Sequence, residues 1–172
     1  MRELLHFLRL VAIALLVVLP IREWVGEPIY VASPSMEPTL KTGTMLILDK
    51  MTLCFRAPKR GDILSFRSPV ERRDLLKRVI ALPGETVELR RKAVFINGQS
   101  LAEPYAVHSR SGEDLVGDTM GPLLVPPGHY FMLGDNRDES SDSSVWKDAD
   151  GNPVRFVGLR LVEGVARRLP WA

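Results

Sequence analysis

LLKRVIALPG, residues 75–84, is an apolar run closed by Pro83-Gly84 and broken only by Lys77 and Arg78. Its length and its Val and Ile content read as a strand, on which alternate residues share a face. Leu75, Lys77, Val79 and Ala81 then point one way, and Leu76, Arg78, Ile80 and Leu82 the other. Lys77 is flanked by apolar neighbours on its own face. Burial makes an ammonium costly and so favours the neutral amine, whereas the arginine opposite cannot give up its proton. A neutral lysine amine can act as a base. The matching nucleophile is Ser35 in SPSMEPTL, residues 33–40, and no histidine lies between the two.

Working outward, GTMLILDK, GDILSFRSP, ETVELRRKAVFINGQSL and GHYFMLGDN are short, alternating or β-branched, and punctuated by Gly, Pro and Asp. They predict a mainly β domain. Asn97-Gly98 has the chemistry of a tight hairpin, so VELRRKAVFI and QSLAEPY should border one. Residues 103–127 are polar and rich in Gly and Pro, which suits a loop or small β insertion covering one side of the sheet. No long amphipathic helix is expected after residue 25.

The first 25 residues differ. Leu10–Leu19 carries no charge, and apolar character extends from Leu4 to Val25 around Arg9 and Arg22. With both arginines snorkelling to opposite interfaces, this segment reads as a single transmembrane anchor, leaving 26–172 as the second, extracytoplasmic domain. A cleaved signal peptide is the rival, with Val31–Ser33 as a cleavage-like site. Cutting there would fray the segment that carries Ser35. Charge flanking the apolar run favours a cytoplasmic N-terminus only slightly.

The 172 residues are 45% hydrophobic with a net charge of +2, enough for one core and too little charge to suggest a nucleic-acid partner. Cys54 is the single cysteine, so no internal disulfide forms, and it reads as a small buried hydrophobe. Asp135, Asp138, Glu139 and Asp142 lack the spacing of a calcium loop, and no metal site is expected. His129, before GHYFMLGDN, is the one plausible base for a Ser/His/Asp alternative; His6 and His108 fall in the anchor and in a polar loop. Trp24, Tyr30 and Trp171 suit a membrane interface or core packing equally.

Four segments in order, SPSMEPTL (33–40), KRGDILSF (59–66), LKRVIALPGE (76–85) and GDNRDESSDSS (134–144), resemble the bacterial type I signal peptidases, membrane-anchored Ser/Lys endopeptidases. FVGLRLVEGVARRLPW (156–171) is similar to that family's last strand and tail. The resemblance implies a β-barrel-like catalytic domain after one transmembrane helix, and no cofactor. It implies Ser35 as nucleophile and Lys77 as general base. Ser33, with the Ser35 amide, would form the oxyanion hole, and Ser140 would orient the lysine amine. It further implies ion pairing among Arg78, Asp135, Arg137 and Asp142 in support of the active-site strands. The substrates implied are preproteins with small residues at the first and third positions before the cut, met at the lipid bilayer. This chain departs from the pattern at Ser144, where an arginine is usual, which leaves Asp142 short of an expected partner, and at Glu139, where a neutral polar residue is common. Self-cleaving repressors share the Ser/Lys pairing but carry a DNA-binding domain where this chain has an apolar segment. A specialised maturation peptidase for conjugation, pili or an organelle membrane, and a non-catalytic anchored β-domain, stay open as alternatives.

Overall fold

The computed structural model describes residues 2–20 and 25–168. Helix α1 spans Arg2–Pro20, and its side chains from Arg2 to Leu19 are exposed on every side. The expected anchor is therefore helical, but no helix among the described residues is long and apolar enough to cross a membrane. Arg2, Glu3 and Arg9 charge its first half. The uncharged run Leu10–Leu19 rises only about 15 Å against a hydrocarbon layer of about 30 Å. Residues 21–24, which the sequence reading included in the span, lie outside the described residues, as do Trp24 and Trp171.

The rest is antiparallel β-structure. Strands β1 (Gly26–Tyr30), β2 (Met45–Asp49), β3 (Ile63–Arg67), β4 (Asp74–Ala81), β5 (Thr86–Arg90), β6 (Ala93–Ile96), β7 (Gln99–Ser100), β8 (Met120–Leu124), β9 (His129–Leu133), β10 (Val157–Gly158) and β11 (Val162–Arg168) form two sheets. The larger runs β1-β2-β11-β3-β4-β9-β10 and is open, with β1 and β10 at its edges; the smaller runs β7-β6-β5-β8. A five-residue helix α2 (Met51–Phe55) follows β2.

Three apolar clusters fill the interior. Leu64, Phe66, Val79, Met132 and Trp146 pack within the larger sheet. Ile80, Val87, Val94 and Phe131 join the two sheets. Val31, Met36, Leu40 and Leu46 underlie the Ser35 loop. Phe66 meets Trp146 edge-on at 6.0 Å, a favourable aromatic geometry.

The strands depart from the sequence reading at β4 and between β5 and β6. The register of β4 against β9 shifts between Val79 and Ala81, so Ile80 and Ala81 both enter the inter-sheet cluster while Leu82 packs with Val79. A bulge flips the face, and Ala81 does not share one with Lys77 as strict alternation predicts. VELRRKAVFI is likewise two strands, because Arg91 and Lys92 take positive φ (47° and 73°) and make a turn of their own. Contacts from the polar insertion hold that turn: the Lys92 amide donates to Asp118 O (2.9 Å), and Lys92 Nζ pairs with Asp118 (3.3 Å) and Asp138 (2.9 Å). The Asn97-Gly98 turn joins β6 to β7, with φ 51° and 79°. The insertion contributes β8, which pairs with β5. Cys54 lies exposed on α2, contrary to the buried reading, because Leu53 is the residue of that helix that packs on the sheet.

Candidate active site

Ser35 lies in a 3-10 helix, Pro34–Met36, with Pro34 in its first turn. Proline is pre-set for that position, and amides of a helical first turn have no partner within the helix. Beneath it the buried Met36 fixes the loop on the core. Ser35 is itself buried, and its Oγ is 3.1 Å from Ser33 Oγ on the exposed approach. A cleft of about 270 Å³ opens beside this pair, between residues 30–36 and residues 73–76 at the start of β4.

Lys77 comes to the same region from β4, which contacts the Ser35 helix. Across the ladder it faces the fully buried Leu64 of β3, and it is itself only 2% exposed. Burial pulls its pKa from 10.5 down to about 8; the carboxylate of Asp142 opposes that fall, and Arg73 adds to it. A group so placed is a base within reach of neutral pH.

Asp142 is buried and fully occupied. Its Oδ2 accepts from the Ser140 hydroxyl (2.5 Å) and the Gly134 amide (3.0 Å), and its Oδ1 from the Ser144 amide (3.1 Å) and hydroxyl (2.8 Å). The partner that the sequence reading found wanting is thus supplied by Ser144 itself. Arg155 adds positive charge nearby, donating to Ser143 O (3.1 Å) and Ser144 O and feeling the Asp142 charge. Because Ser140 spends its hydrogen on Asp142, its lone pairs stay free to accept from an amine.

The ion pairing expected among four residues is formed in part. Arg78 binds Asp135 through Nε (2.8 Å) and Nη2 (2.5 Å), donates to Gly61 O (2.9 Å) and lies 4.0 Å from the Tyr105 ring centroid. Burial works against the Arg78 charge, but the Asp135 bonds outweigh it and hold its pKa raised. Arg137 pairs elsewhere: with Glu103 (2.5 Å) and with Gly134 O (3.2 Å). Both are nearly buried, so Glu103 of the insertion takes the place expected for Asp142 or Asp135. Glu139 is exposed and pairs with Arg110 at 3.2 Å. Asp62 binds the Lys59 amide (2.8 Å) and Arg56, which holds the turn before β3.

Sequence reasoning missed two residues of this site. The Asn136 amide donates to Ser35 O (3.1 Å) and its side-chain Nδ2 to Pro34 O (3.3 Å), tying the serine loop to the GDNRDES loop. Gly134 lies between Ser35 and Ser140: an added Cβ would stand 2.5 Å from Ser35 O and closer still to Ser140 Oγ. A loop asparagine and a Gly-Asp turn are common, so neither announces such a contact. His129 is held by its own turn, with Nδ1 2.9 Å from Pro127 O. Among the described residues, no group of His, Cys, Asp and Glu could hold a metal ion.

The model of the family described as signal peptidase, peptidase S26, matches residues 4–169. A probable signal peptidase I-1 of a Synechocystis species is 40% identical over 145 residues, covering 80% of this chain and 71% of its own. The signal peptidase I T of Bacillus subtilis is 40% identical over 138 residues, covering 77% and 71%. The crystal structure of a signal peptidase I from Enterococcus faecalis superposes with a TM-score of 0.50 at 40% identity, over 64% of this chain and 97% of that one.

Proposed function

Since the chain belongs to the signal peptidase family, peptidase S26, and is a serine endopeptidase that removes signal peptides, we propose that Ser35 and Lys77 are its catalytic dyad. The observation that carries this assignment is a lysine 2% exposed, with its pKa pulled to about 8, on a strand that contacts the serine helix. The neutral Lys77 amine takes the Ser35 Oγ proton as Oγ attacks the scissile carbonyl carbon. Negative charge gathers on the former carbonyl oxygen, which the Ser33 hydroxyl and the Ser35 amide stabilise by donating to it. Collapse of that intermediate breaks the C–N bond, and the Lys77 ammonium protonates the leaving amine. Lys77 then deprotonates a water, which attacks the acyl-serine carbon; the C–Oγ bond breaks, and the Lys77 ammonium returns its proton to Ser35 Oγ. Throughout, Ser140 holds the amine with its lone pairs, while its own hydrogen is fixed by Asp142. Arg78, Asp135 and Arg137 serve as framework.

The substrate in this reading is an extended preprotein segment lying in the cleft between residues 30–36 and 73–76, with small side chains at the first and third positions before the cut. The α1 segment attaches the domain to a membrane, with the catalytic domain on the extracytoplasmic side. Supporting this, α1 exposes apolar side chains all round, an arrangement that water disfavours and lipid accepts.

Cleavage of a preprotein bearing Ala at those two positions tests the assignment. Ser35→Ala and Lys77→Met should each leave less than about a hundredth of the wild-type rate, since nucleophile and base act as a unit. A folded variant that keeps more rules out that residue's role.

A further inference from the structure

Along its wall of residues 30–36, the cleft beside Ser35 carries only apolar side chains and hydroxyl groups. Charge enters at the other wall, with Arg73 and Asp74 where β4 begins. Any sorting of substrates by charge within the cleft therefore falls to these two residues. Asp74 is engaged in the sheet, standing opposite Arg67 in the β3–β4 ladder and pairing with it at 3.2 Å. Arg73 is placed differently. Its backbone is fixed: the Ser68 amide donates to Arg73 O (2.9 Å), and the buried Ser68 hydroxyl accepts from the amides of Val70 (3.3 Å) and Glu71 (3.0 Å), which holds the hairpin tip. Its side chain is 59% exposed and bonds Glu71 through Nε, and among the described residues nothing takes its two terminal nitrogens. An arginine that lines a cleft with its fork unused is suited to a carboxylate.

Distance along β4 indicates which substrate residue Arg73 meets. Lys77 marks the reacting bond, and Arg73 precedes it by four residues, about 13 Å of extended chain. A substrate running beside β4 spans that length with four residues of its own, and those between the two walls are the residues before the cut. With the first and third side chains turned into the cleft, the fourth turns towards its mouth, where Arg73 is exposed. The Arg73 charge is felt at Lys77, whose pKa it lowers, so the guanidinium lies within electrostatic range of the reacting groups. Glu71 is no obstacle. An exposed ion pair is weak, and it gives way to an incoming carboxylate or shares the arginine with it.

We propose that Arg73 is a specificity-determining residue, recognising a carboxylate side chain four residues before the cut and turning away a cationic one there. The inference rests on the reading that the preprotein lies in this cleft. Its consequence is a charge filter added to the requirement for small residues. The hairpin tip supports it, since Arg67, Arg72 and Arg73 stand against Glu71 and Asp74 and leave the local charge positive.

Peptides with alanine at the first and third positions that differ only at the fourth, as glutamate, glutamine or arginine, test this on the full chain in detergent. At about pH 9.5 Lys77 is almost wholly neutral, so ratios of kcat/KM report recognition and not titration of the base. Wild type should cut the glutamate peptide about three to ten times as efficiently as the arginine peptide, with glutamine between them. That preference should shrink in about 1 M salt. Arg73→Gln should bring the ratio close to one, and Arg73→Glu should invert it. A wild-type ratio near one, or a ratio that keeps its sense in Arg73→Glu, overturns the inference. Ala32→Trp, which places a large side chain in the cleft, separates it from the reading beneath it. If that variant cuts all three peptides as wild type does, the substrate lies elsewhere and this inference falls with the cleft reading. If it loses cleavage while Arg73→Glu keeps the wild-type preference, this inference alone falls.

Discussion

Replacing Lys77 by methionine should destroy activity and at the same time stabilise the fold. In the unfolded chain the lysine titrates near 10.5, and in the buried site near 8. Between those values the unfolded chain binds more protons than the folded one, so stability must rise as pH climbs through that window. Below pH 8 the fold carries nearly the whole cost of a buried ammonium. The two pKa values set that cost at about 3 kcal/mol at pH 7 and about 2 kcal/mol at pH 9. Methionine keeps the unbranched stem and removes the charge, so Lys77→Met should gain close to these amounts, and the gain should shrink as pH rises. Urea unfolding in detergent at pH 7 and pH 9, followed by fluorescence of the buried Trp146, measures both. The wild-type rate should move with the same group: the neutral fraction goes from about a tenth at pH 7 to about nine-tenths at pH 9, an increase of roughly tenfold in kcat. A Lys77→Met protein less stable than wild type at pH 7, or a stability difference that does not change with pH, would refute the reasoning, because it would mean that the ammonium is not penalised by burial.

The neighbouring residues give separate expectations. Asp142→Asn removes the carboxylate that most strongly favours the Lys77 ammonium, so the midpoint of the pH–rate profile should fall below its wild-type position; an upward shift would show that Asp142 acts otherwise. Ser33→Ala should lower kcat by about a hundred- to a thousandfold with little change in KM, the usual effect of losing one oxyanion donor, and an unchanged kcat would remove Ser33 from that role. Gly134→Ala drives a methyl against Ser35 O and Ser140 Oγ, so it should impair cleavage in a protein whose far-ultraviolet spectrum is unaltered; full activity would show that the two loops can separate without cost. Asp135→Asn leaves Arg78 buried beside a neutral amide and should destabilise the domain by about 3 to 5 kcal/mol, while lowering the pH–rate midpoint by less than Asp142→Asn does, because Asp135 favours the Lys77 ammonium more weakly; urea unfolding and a rate profile together would check both.

Much of the fold is written locally, and the parts that are not share one cause. The β-class follows from short alternating runs, and the β6–β7 turn from Asn97-Gly98, because in each case the information lies within a few adjacent residues. The Arg91-Lys92 turn was hidden, since neither residue favours positive φ. What holds it there is Asp118 and Asp138, distant in sequence. The bulge at Ile80 is equally silent in a run of apolar residues, because either face would accept them. Glu103 illustrates the same limit from the polar side. It stands in a segment that reads as surface loop, yet its ion pair with Arg137 is almost fully buried, and only the folded insertion brings them together.

Lys77 and Arg78 show how adjacent residues can be legible to different degrees. That the two point to opposite faces follows from strand geometry alone, and their chemistry dictates that the one without a carboxylate partner loses its charge more readily. Arg78 has a guanidinium that stays protonated, so its burial requires compensation, and Asp135, Gly61 O and the Tyr105 ring supply it. For Lys77 a deeper burial is left opposed only in part by Asp142, whose oxygens are already occupied by Ser140, Ser144 and Gly134. A carboxylate so saturated is a weaker counter-charge than a free one, since each hydrogen bond it accepts draws electron density away from the lysine. Ser144 therefore has a consequence beyond replacing a missing cation: by donating two bonds to Oδ1 it helps keep Asp142 from fixing Lys77 as an ammonium. Ser144→Ala, which retains the amide bond and removes the hydroxyl one, should raise the midpoint of the pH–rate profile while leaving the plateau rate at high pH close to wild type. A midpoint that stays in place would show that the Ser144 hydroxyl does not tune the base.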